Sequence, residues 1–343
     1  MQVIASAPGK LVLLGEYAVL QGAPALVLAV NRRARVTLTK ISGERIVVSA
    51  PALGITTECR VRAGGKVEWL GDARLSDQLR LVTAVLEDTT SSSLLQAFHA
   101  ELDTDGFFLE KANKRTKLGL GSSAALTVAL AGALCALQGR PKPSVDSLIA
   151  LHRREQNGRG SGLDIAAAFH GGVVIYHINK GIPTATPAIL PHGFAWCCVW
   201  SGKSASTSDF LERIANWSEL EPQQYNVCIA RLNALAIAGA DAVRNDDAST
   251  FIQILLDYAE GLAQLGLASG VDIVSREHRE IAAVAMASGV VYKSCGAGGG
   301  DVGIALSMDH ERLAHFRQRI AQAGFRTLDL AADPHGLEVR IIE

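Results

Sequence analysis

A short glycine-rich stretch in the first half of the chain carries the residue types that bind phosphate. It runs from Lys117 to Leu126 with the sequence KLGLGSSAAL, and a long apolar run follows it. A glycine turn that leads directly into a helix points several backbone N–H groups outward at the positive end of the helix dipole. Ser122 could cap the same helix, which is compatible with phosphate binding. A serine hydroxyl in this loop could also ligate Mg²⁺.

Two further glycine loops lie beside charged residues. Pro8-Gly-Lys10 places a lysine next to a turn, where it is either solvated or in contact with a ligand. Ser294–Asp301 has the sequence SCGAGGGD, and its glycines would let the backbone approach a ligand closely. A flexible hairpin turn is the alternative for this loop, and Asp301 could hold it by an Asx-type hydrogen bond.

Two carboxylates lie near a fourth flexible segment. Asp164 follows Ser161 and Gly162 and opens an apolar helix. It could be a first-turn residue stabilised by the helix dipole, or a carboxylate beside the nucleophilic oxygen of an acceptor. Glu155, on the preceding helix, could be a second acidic group at a metal.

These loops need regular elements on both sides to position them. Hydrophobic periodicity predicts a β-rich opening in which Val3–Ala7 is a strand broken at Pro8. Leu94–Leu102 has helical periodicity. A helix is predicted over about Ser122–Leu137, and Ser144 is the predicted N-cap of the next helix. In the second half strands and helices alternate, which indicates an α+β fold with an antiparallel sheet.

A change of composition marks the predicted boundary between two domains. Three prolines fall between residues 180 and 191. The length of 343 residues suits two domains at roughly 150 residues each. We place an N-terminal domain at 1–185 and a C-terminal domain at 186–343.

Composition argues against nucleic acid and membrane partners. Lys plus Arg number 33 and Asp plus Glu number 34, so the net charge is −1 and no basic field attracts a polyanion. The longest nearly uninterrupted apolar run, Ala124–Leu137, is shorter than the roughly 20 residues that span a membrane. The N-terminus lacks the pattern of a secretory signal, and none of the six cysteines forms a C-x-x-C pair. We therefore expect a cytoplasmic protein with reduced cysteines.

Taken together, the loops resemble the motifs of the GHMP kinase family, in their family order. Pro8–Tyr17, with the sequence PGKLVLLGEY, is similar to the first motif. Gly119–Ala125 is similar to the second, which binds the ATP phosphates, and Gly296–Asp301 to the third. Ser161–Asp164 matches the segment that carries the catalytic aspartate of the family. The resemblance implies an α+β, two-domain GHMP kinase fold, with an N-terminal domain like ribosomal protein S5 domain 2 and a ferredoxin-like C-terminal domain.

The resemblance also implies ATP and Mg²⁺ as cofactors and a role for each matching residue. Lys10, Lys117 and Asp164 would act in phosphoryl transfer, which depends on alignment and fixed cations. Mg²⁺ would bind Ser122 or Ser123. The residues implied to bind the ATP phosphates are Gly119, Leu120, Gly121, Ser122, Ser123 and Ala124. The residues implied to contact the acceptor are Glu16, Tyr17, Arg159, Ser161, Gly162, Lys203, Ser204, Ser294, Gly296, Ala297 and Gly298.

Within the family the phosphomevalonate kinases are the most similar branch. Their second motif carries a lysine at the position of Lys117, and residues 201–208, SGKSASTS, resemble a stretch that lines their acceptor. Tyr17 stands where several other members have histidine. Glu155 lies nine residues before Asp164, a spacing that does not match the Mg²⁺-binding glutamate of mevalonate kinase. The resemblance implies phosphorylation of 5-phosphomevalonate to 5-diphosphomevalonate in isoprenoid precursor synthesis.

Three alternatives stay open. The acceptor could be mevalonate or another alcohol, whose proton Asp164 would take. The protein could be a related ATP-dependent decarboxylase, or a metabolite sensor without turnover. Each of these has a small-molecule partner, none needs nucleic acid or a membrane, and the chain could form a homodimer.

Overall fold

The computed structural model of the protein describes residues 1–62, 64–71, 74–89, 97–111, 114–156, 158 and 160–343. In these ranges two large β-sheets, one small sheet and the helices packed on them confirm the α+β class. The strands are β1 (Gln2–Leu14), β2 (Ala25–Lys40), β3 (Ile46–Ala50), β4 (Ile55–Val61), β5 (Val67–Trp69), β6 (Phe98–Asp103), β7 (Phe108–Lys111), β8 (Lys114–Lys117), β9 (Val173–Asn179), β10 (Ile182–Ala188), β11 (Ala195–Trp200), β12 (Val291–Ser294), β13 (Val302–Ser307), β14 (Arg326–Leu328) and β15 (Glu338–Ile342). The helices are α1 (Arg74–Gln78), α2 (Arg80–Thr89), α3 (Ser122–Leu137), α4 (Val145–Glu155), α5 (Leu163–His170), α6 (Thr207–Leu220), α7 (Pro222–Arg244), α8 (Ala248–Ser269), α9 (Arg276–Met286) and α10 (His310–Gln322).

The first sheet is organised around the long hairpin of β1 and β2. The sheet order is β10-β9-β2-β6-β3-β4-β5, and β1 pairs with both β2 and β15. The predicted break of the first strand at Pro8 is wrong, because β1 runs through it with a register shift between Pro8 and Gly9. The shift absorbs the missing N–H of the proline, as a β-bulge does.

Gly9 at this shift lets the phosphate loop lie directly on β1. A side-chain Cβ on Gly9 would lie 2.7 Å from the backbone oxygen of Leu120. The next residue, Lys10, donates its backbone N–H to that same oxygen over 2.9 Å. The first and second motifs are thus joined through the backbone.

Helix α3 forms over the predicted range, Ser122–Leu137. Twelve of its sixteen residues are buried, because β1, β2, α2 and α5 surround it. A helix that is apolar on all sides is stable in this position. The next helix, α4, begins as predicted after Ser144, whose hydroxyl accepts a hydrogen bond from the N–H of Ser147.

The helix predicted over Leu94–Leu102 is wrong in its described part, since residues 98–103 form the strand β6. Buried Phe98, Ala100 and Leu102 alternate with more exposed residues. This period of two is that of a strand with one buried face. Residues 94–96 lie outside the described part of the chain.

The second sheet has the strand order β12-β13-β11-β14, and its neighbours are antiparallel. Along the chain β11 is followed by helices, then β12 and β13, then α10 and β14, which is the ferredoxin-like pattern. Helices α9 and α10 cover one face of the sheet, where Cys197 and Val199 point. The opposite face, with Cys198 and Trp200, packs against α7 and α8.

The last strand does not stay with the second sheet. β15 pairs with β1, from Gln2 opposite Ile342 to Ser6 opposite Glu338. The predicted domain boundary at 185/186 falls inside β10, which pairs with β9 of the first sheet. The first sheet therefore includes residues of the range 186–343, and the division itself stays a prediction.

Helix α7 is the one helix of the described chain that is long and apolar enough to cross a membrane. It packs along α8, and Leu232, Ala236 and Ala240 belong to the protein core. Core helices of soluble proteins pass the same test, so this helix alone is weak evidence for a membrane span.

Candidate active site

One cleft between the two sheets collects the three glycine loops and the start of α6. Its volume is about 480 Å³. The predicted site residues that line it are Lys10, Glu16, Tyr17, Lys117, Gly119, Gly121, Ser123, Ser161, Gly162, Asp164, Ser204, Gly296 and Ala297. Among the described residues, the predicted ones that do not line it are Leu120, Ser122, Ala124, Lys203, Ser294 and Gly298. Arg159 lies outside the described part of the chain.

The phosphate loop leaves the first N–H groups of α3 without a side-chain cap. Gly121, with a φ of 79°, occupies the N-cap position, so Ser122 is not the cap. Gly119 also has a positive φ, of 76°, which a glycine adopts without strain. Both glycines line the cleft. The positive end of the α3 dipole is therefore open to an anion.

A lysine and an aspartate meet next to this helix start, where a Cβ on Gly121 would lie 3.2 Å from the Lys10 side chain and 3.8 Å from that of Asp164. Lys10 Nζ on β1 lies 3.4 Å from Asp164 Oδ1 in the first turn of α5. The aspartate side chain is 31% exposed, so it remains open to a ligand. The pair places a cation and a carboxylate next to each other beside the phosphate loop.

Lys117 is the second cation of the cleft. Its side chain is open to the cleft, yet the surrounding protein atoms lower its pKa by desolvation. The negative charges of Asp301 and Asp164 oppose this shift of the pKa, and the positive charge of Lys10 adds to it. Four charged groups are thus close enough to influence one another.

Asp301 closes the third loop onto the second. Its Oδ1 accepts a hydrogen bond from the N–H of Ala205 over 3.2 Å. Its side chain lies so close to Gly119 that any Cβ there would overlap it. Burial raises the pKa of the Asp301 carboxyl, while the hydrogen bond from Ala205 and the two lysines act against that shift. The sequence suggested a loop-holding role for Asp301, but not its contact with the phosphate loop.

The loop that carries Asp164 is held by two residues that the sequence interpretation missed. Arg153 donates to the backbone oxygens of Gly160 and Ser161 over 2.9 and 2.6 Å. The hydroxyl of Tyr176 donates to the same Ser161 oxygen over 2.6 Å. These bonds fix the turn from which α5 starts, and no local pattern connects either residue with it.

His152 is a further residue of the cleft that was missed. It is buried on α4, and its Nε2 lies 3.4 Å from the hydroxyl of Ser123. Burial lowers the pKa of its imidazole, and the negative charge of Asp164 opposes this shift. The one signal in the sequence is its place on the apolar face of α4, beside Leu148 and Ile149.

Two residues predicted to contact the acceptor form ion pairs with other side chains. Glu16 Oε1 lies 2.5 Å from the Nζ atom of buried Lys293. Lys203 Nζ lies 2.8 Å from Glu277, and the hydrogen bond from this lysine lowers the pKa of the Glu277 carboxyl to about 2. The charge of Lys203 is therefore compensated by Glu277, and Lys203 does not line the cleft.

The third glycine loop contacts protein more than it contacts the cleft. A Cβ on Gly298 would overlap the backbone oxygen of Ile273, and one on Gly300 would lie 2.9 Å from the oxygen of Lys203. Of its residues, Gly296, Ala297 and Asp301 line the cleft. The interpretation as a ligand loop thus concerns these three residues and not the glycines at 298–300.

The cleft suits a magnesium ion that is held mainly by phosphate oxygens. The described residues contain no group of three or more His, Cys, Asp or Glu side chains that could hold a metal by itself. Mg²⁺ at nucleotides commonly takes only one or two protein oxygens and fills its sphere with phosphate and water. The Ser123 hydroxyl and the carboxylates of Asp164 and Asp301 line the cleft, whereas Ser122 is 7% exposed and does not.

Comparison with known proteins gives similarity to one family of small-molecule kinases. Residues 83–172 match the family described as GHMP kinases N terminal domain. The chain is 27% identical over 309 residues to a mevalonate kinase of Aeropyrum pernix, which covers 90% of this chain and 89% of that protein. It is 25% identical over 378 residues to a phosphomevalonate kinase of a Streptomyces species, with 98% of both chains covered.

The solved structures show a similar fold. The Streptococcus pneumoniae phosphomevalonate kinase in complex with phosphomevalonate and AMPPNP has a TM-score of 0.76 at 18% identity. The match covers 96% of this chain and 99% of that one. At this identity the similarity concerns the fold, and it confirms the two-domain α+β architecture predicted from the motifs.

Proposed function

We propose that the chain is a GHMP kinase and that it transfers the γ-phosphoryl group of ATP to 5-phosphomevalonate. The product would be 5-diphosphomevalonate, an intermediate of isoprenoid precursor synthesis. Relatives named mevalonate kinase and phosphomevalonate kinase match with similar identity, so the acceptor is argued from the cleft.

The observation that carries the proposal is a second helix start on the same cleft. Helix α6 begins at Thr207, and its N-cap residue Ser206 makes no side-chain capping bond. Residues 204–208 all line the cleft, and all but Ala205 are hydroxyl residues. An uncapped helix start rich in hydroxyls suits a second anion. With the α3 start assigned to the nucleotide, the α6 start suits the phosphate of the acceptor.

The charged residues of the cleft suit a phosphate acceptor chemically. A phosphomonoester has a second pKa near 6 and is mostly dianionic at pH 7, so it needs no strong base. It does need cations to offset its repulsion from the nucleotide, and Lys10 and Lys117 both line the cleft. Asp164 would orient Lys10 through their ion pair.

When bound, Mg²⁺ with ATP supplies the transferable phosphoryl group and its leaving group. The uncapped N–H groups at the start of α3 would bind the phosphates, and Ser123 would contribute an oxygen to the metal. The two lysines would stabilise the charge of the transferring group, which is the main protein contribution in phosphoryl transfer.

A second candidate is an alcohol acceptor such as mevalonate. The observation in its favour is Asp164, a cleft carboxylate beside a lysine, which could take a hydroxyl proton. An acceptor panel with purified protein separates the two, with ADP release measured for phosphomevalonate, mevalonate and no acceptor. We expect ADP release with phosphomevalonate, and turnover with mevalonate alone would contradict the proposal.

A pair of substitutions at the start of α6 tests where the acceptor phosphate binds. Ser208→Asp puts a negative charge in the first turn, where the helix dipole tolerates it, and Ser208→Asn is its neutral match. We expect the aspartate to raise the KM for phosphomevalonate about 10-fold and the asparagine to raise it much less. Equal effects of both, or an increase in the KM for ATP instead, would contradict this assignment.

A further inference from the structure

A buried ion pair joins two loops that are 277 residues apart in the chain. Lys293, at the end of β12, contacts Glu16, which follows β1. The side chains of Lys293 and Glu16 are 0% and 3% exposed. Because an unpaired buried charge is strongly destabilising, each of these two side chains requires the other.

Three more hydrogen bonds join the same two loops or support them. Gly296 donates its backbone N–H to Glu16 Oε1 over 3.1 Å. Tyr17 donates its hydroxyl to the backbone oxygen of Ala297 over 2.5 Å. From α8, the hydroxyl of Tyr258 donates to the backbone oxygen of Glu16 over 2.8 Å.

The joined residues form one wall of the cleft. Tyr17, Gly296 and Ala297 all line it. Tyr17 has a φ of 63°, a conformation that a bulky side chain adopts only when its surroundings impose it. Glu16 also lines the cleft, and its buried ion pair with Lys293 anchors the residue immediately before Tyr17.

We infer that Glu16 and Lys293 are positioning residues, and that their buried ion pair fixes Tyr17 and Ala297 as a wall of the acceptor side of the cleft. The inference rests on the proposed function, since it names what shapes the acceptor side. It gives Glu16 a positioning role in addition to the predicted contact with the acceptor, which stays a prediction because Glu16 also lines the cleft. The Oε1 atom of Glu16 is already bonded to Lys293 and Gly296.

A double-mutant cycle tests this inference. Glu16→Gln and Lys293→Met each leave one buried charge alone, whereas the double variant leaves none. We expect each single variant to lower kcat/KM for phosphomevalonate at least about 10-fold, with the KM for ATP changed less than about threefold. We expect the double variant to recover most of the loss, because neutral replacements of a buried ion pair are often tolerated. Lys40→Met, at an exposed lysine, is the matched control.

Two outcomes of the cycle would overturn the inference. Losses that multiply in the double variant would show that the two residues act independently. An equal loss of acceptor binding in Glu16→Gln and in the double variant, with Lys293→Met unaffected, would show direct contact between Glu16 and the acceptor.

Amide hydrogen exchange gives a reading that does not depend on the acceptor. We expect segments 15–20 and 294–301 to exchange at least about 10-fold faster in the more stable of the two single variants, and to regain protection in the double variant. Unchanged exchange in all three variants would overturn the inference. If the wild type does not use phosphomevalonate, the proposed function fails, and the exchange experiment still decides the role of the ion pair.

Discussion

In the Gly119–Ser123 loop both glycines line the cleft, whereas in the Ser294–Asp301 loop only Gly296 of the four glycines does. The Gly119–Ser123 loop uses glycine to turn into α3 and to leave the first N–H groups of that helix open. The Ser294–Asp301 loop uses glycine mainly to pack closely on Ile273 and Lys203. The density of glycines therefore does not distinguish contact with a ligand from close packing of protein. The charged residues beside a loop distinguish these two roles better, since Lys10 and Lys117 lie beside the Gly119–Ser123 loop.

The largest effect is expected from the lysines beside the first loop. Lys10→Ala and Lys117→Ala should each lower kcat at least about 100-fold, the scale of losing one donor to the transition state. Steady-state kinetics of each variant would measure the effect, with Lys40→Ala as the exposed control. Near-normal turnover in both variants would show that the lysines beside the Gly119–Ser123 loop do not make it the catalytic one of the two loops.

A smaller loss of turnover is expected when the Gly119–Ser123 loop is displaced. Gly119→Ala would push its Cβ into the Asp301 side chain, and a displacement of about 1 Å at an active site can cost up to 100-fold in rate. We expect kcat to fall about 10- to 100-fold. Gly139→Ala is the control, since Gly139 has a φ of 67° and open space around it. If both variants behaved alike, backbone strain alone would explain the loss.

Substitutions in the Ser294–Asp301 loop should lower the stability of the protein more than its turnover. In Gly298→Ala the new Cβ would overlap the backbone oxygen of Ile273. We expect the free energy of unfolding to fall by about 2 kcal/mol, as overpacking does, with kcat within about threefold of wild type for the folded fraction. Denaturant unfolding and kinetics would measure both.

Gly296→Ala is the matched substitution in the same loop. Gly296 has a similarly positive φ, of 92°, with nothing within 4 Å of a Cβ. It should be the more stable variant of the two. A larger loss of stability in Gly296→Ala than in Gly298→Ala would contradict the packing role of the second loop.

The smallest expected effect is a pH dependence of stability that arises from a histidine bonded to the Ser294–Asp301 loop. His278 Nε2 donates to the oxygen of Gly300, and Nδ1 accepts from the hydroxyl of Tyr292, both over 2.7 Å. Burial lowers the pKa of this imidazole, against the opposing effect of the Gly300 hydrogen bond. Because the unfolded chain takes up the proton first, stability is lost as pH falls below the ordinary value of about 6.5.

His278→Gln has no such proton to gain. We therefore expect the stability advantage of the wild type over this variant to be largest above pH 7 and to shrink toward pH 5. Thermal unfolding of both proteins across this range would measure it. An advantage that grows on acidification would show that the histidine is charged in the folded protein.

Local signals were sufficient to predict α3 and the glycine turn before it, and they failed for contacts between residues that are distant in the chain. The glycine turn and apolar run predicted α3 to the residue because both lie next to it in the chain. The alternation of Phe98, Ala100 and Leu102 was present in the sequence, and helical periodicity was given too much weight there. The partner of Glu16 lies 277 residues away, and no periodicity or motif encodes such a pair. Lys203 shows the same limit, because it lies in the loop before α6 whereas its partner Glu277 lies in α9.

The pairing of β15 with β1 has a consequence for the order in which the protein can be completed on the ribosome. About 150 residues separate the end of β10 from β15. At about 5–20 residues per second, synthesis of these residues alone takes roughly 8–30 s, and throughout it the edge of β1 from Gln2 to Ser6 lacks its partner strand. An unpaired strand edge is a site where other chains can add. During synthesis this edge is therefore a place where the nascent chain is open to strand pairing with its neighbours.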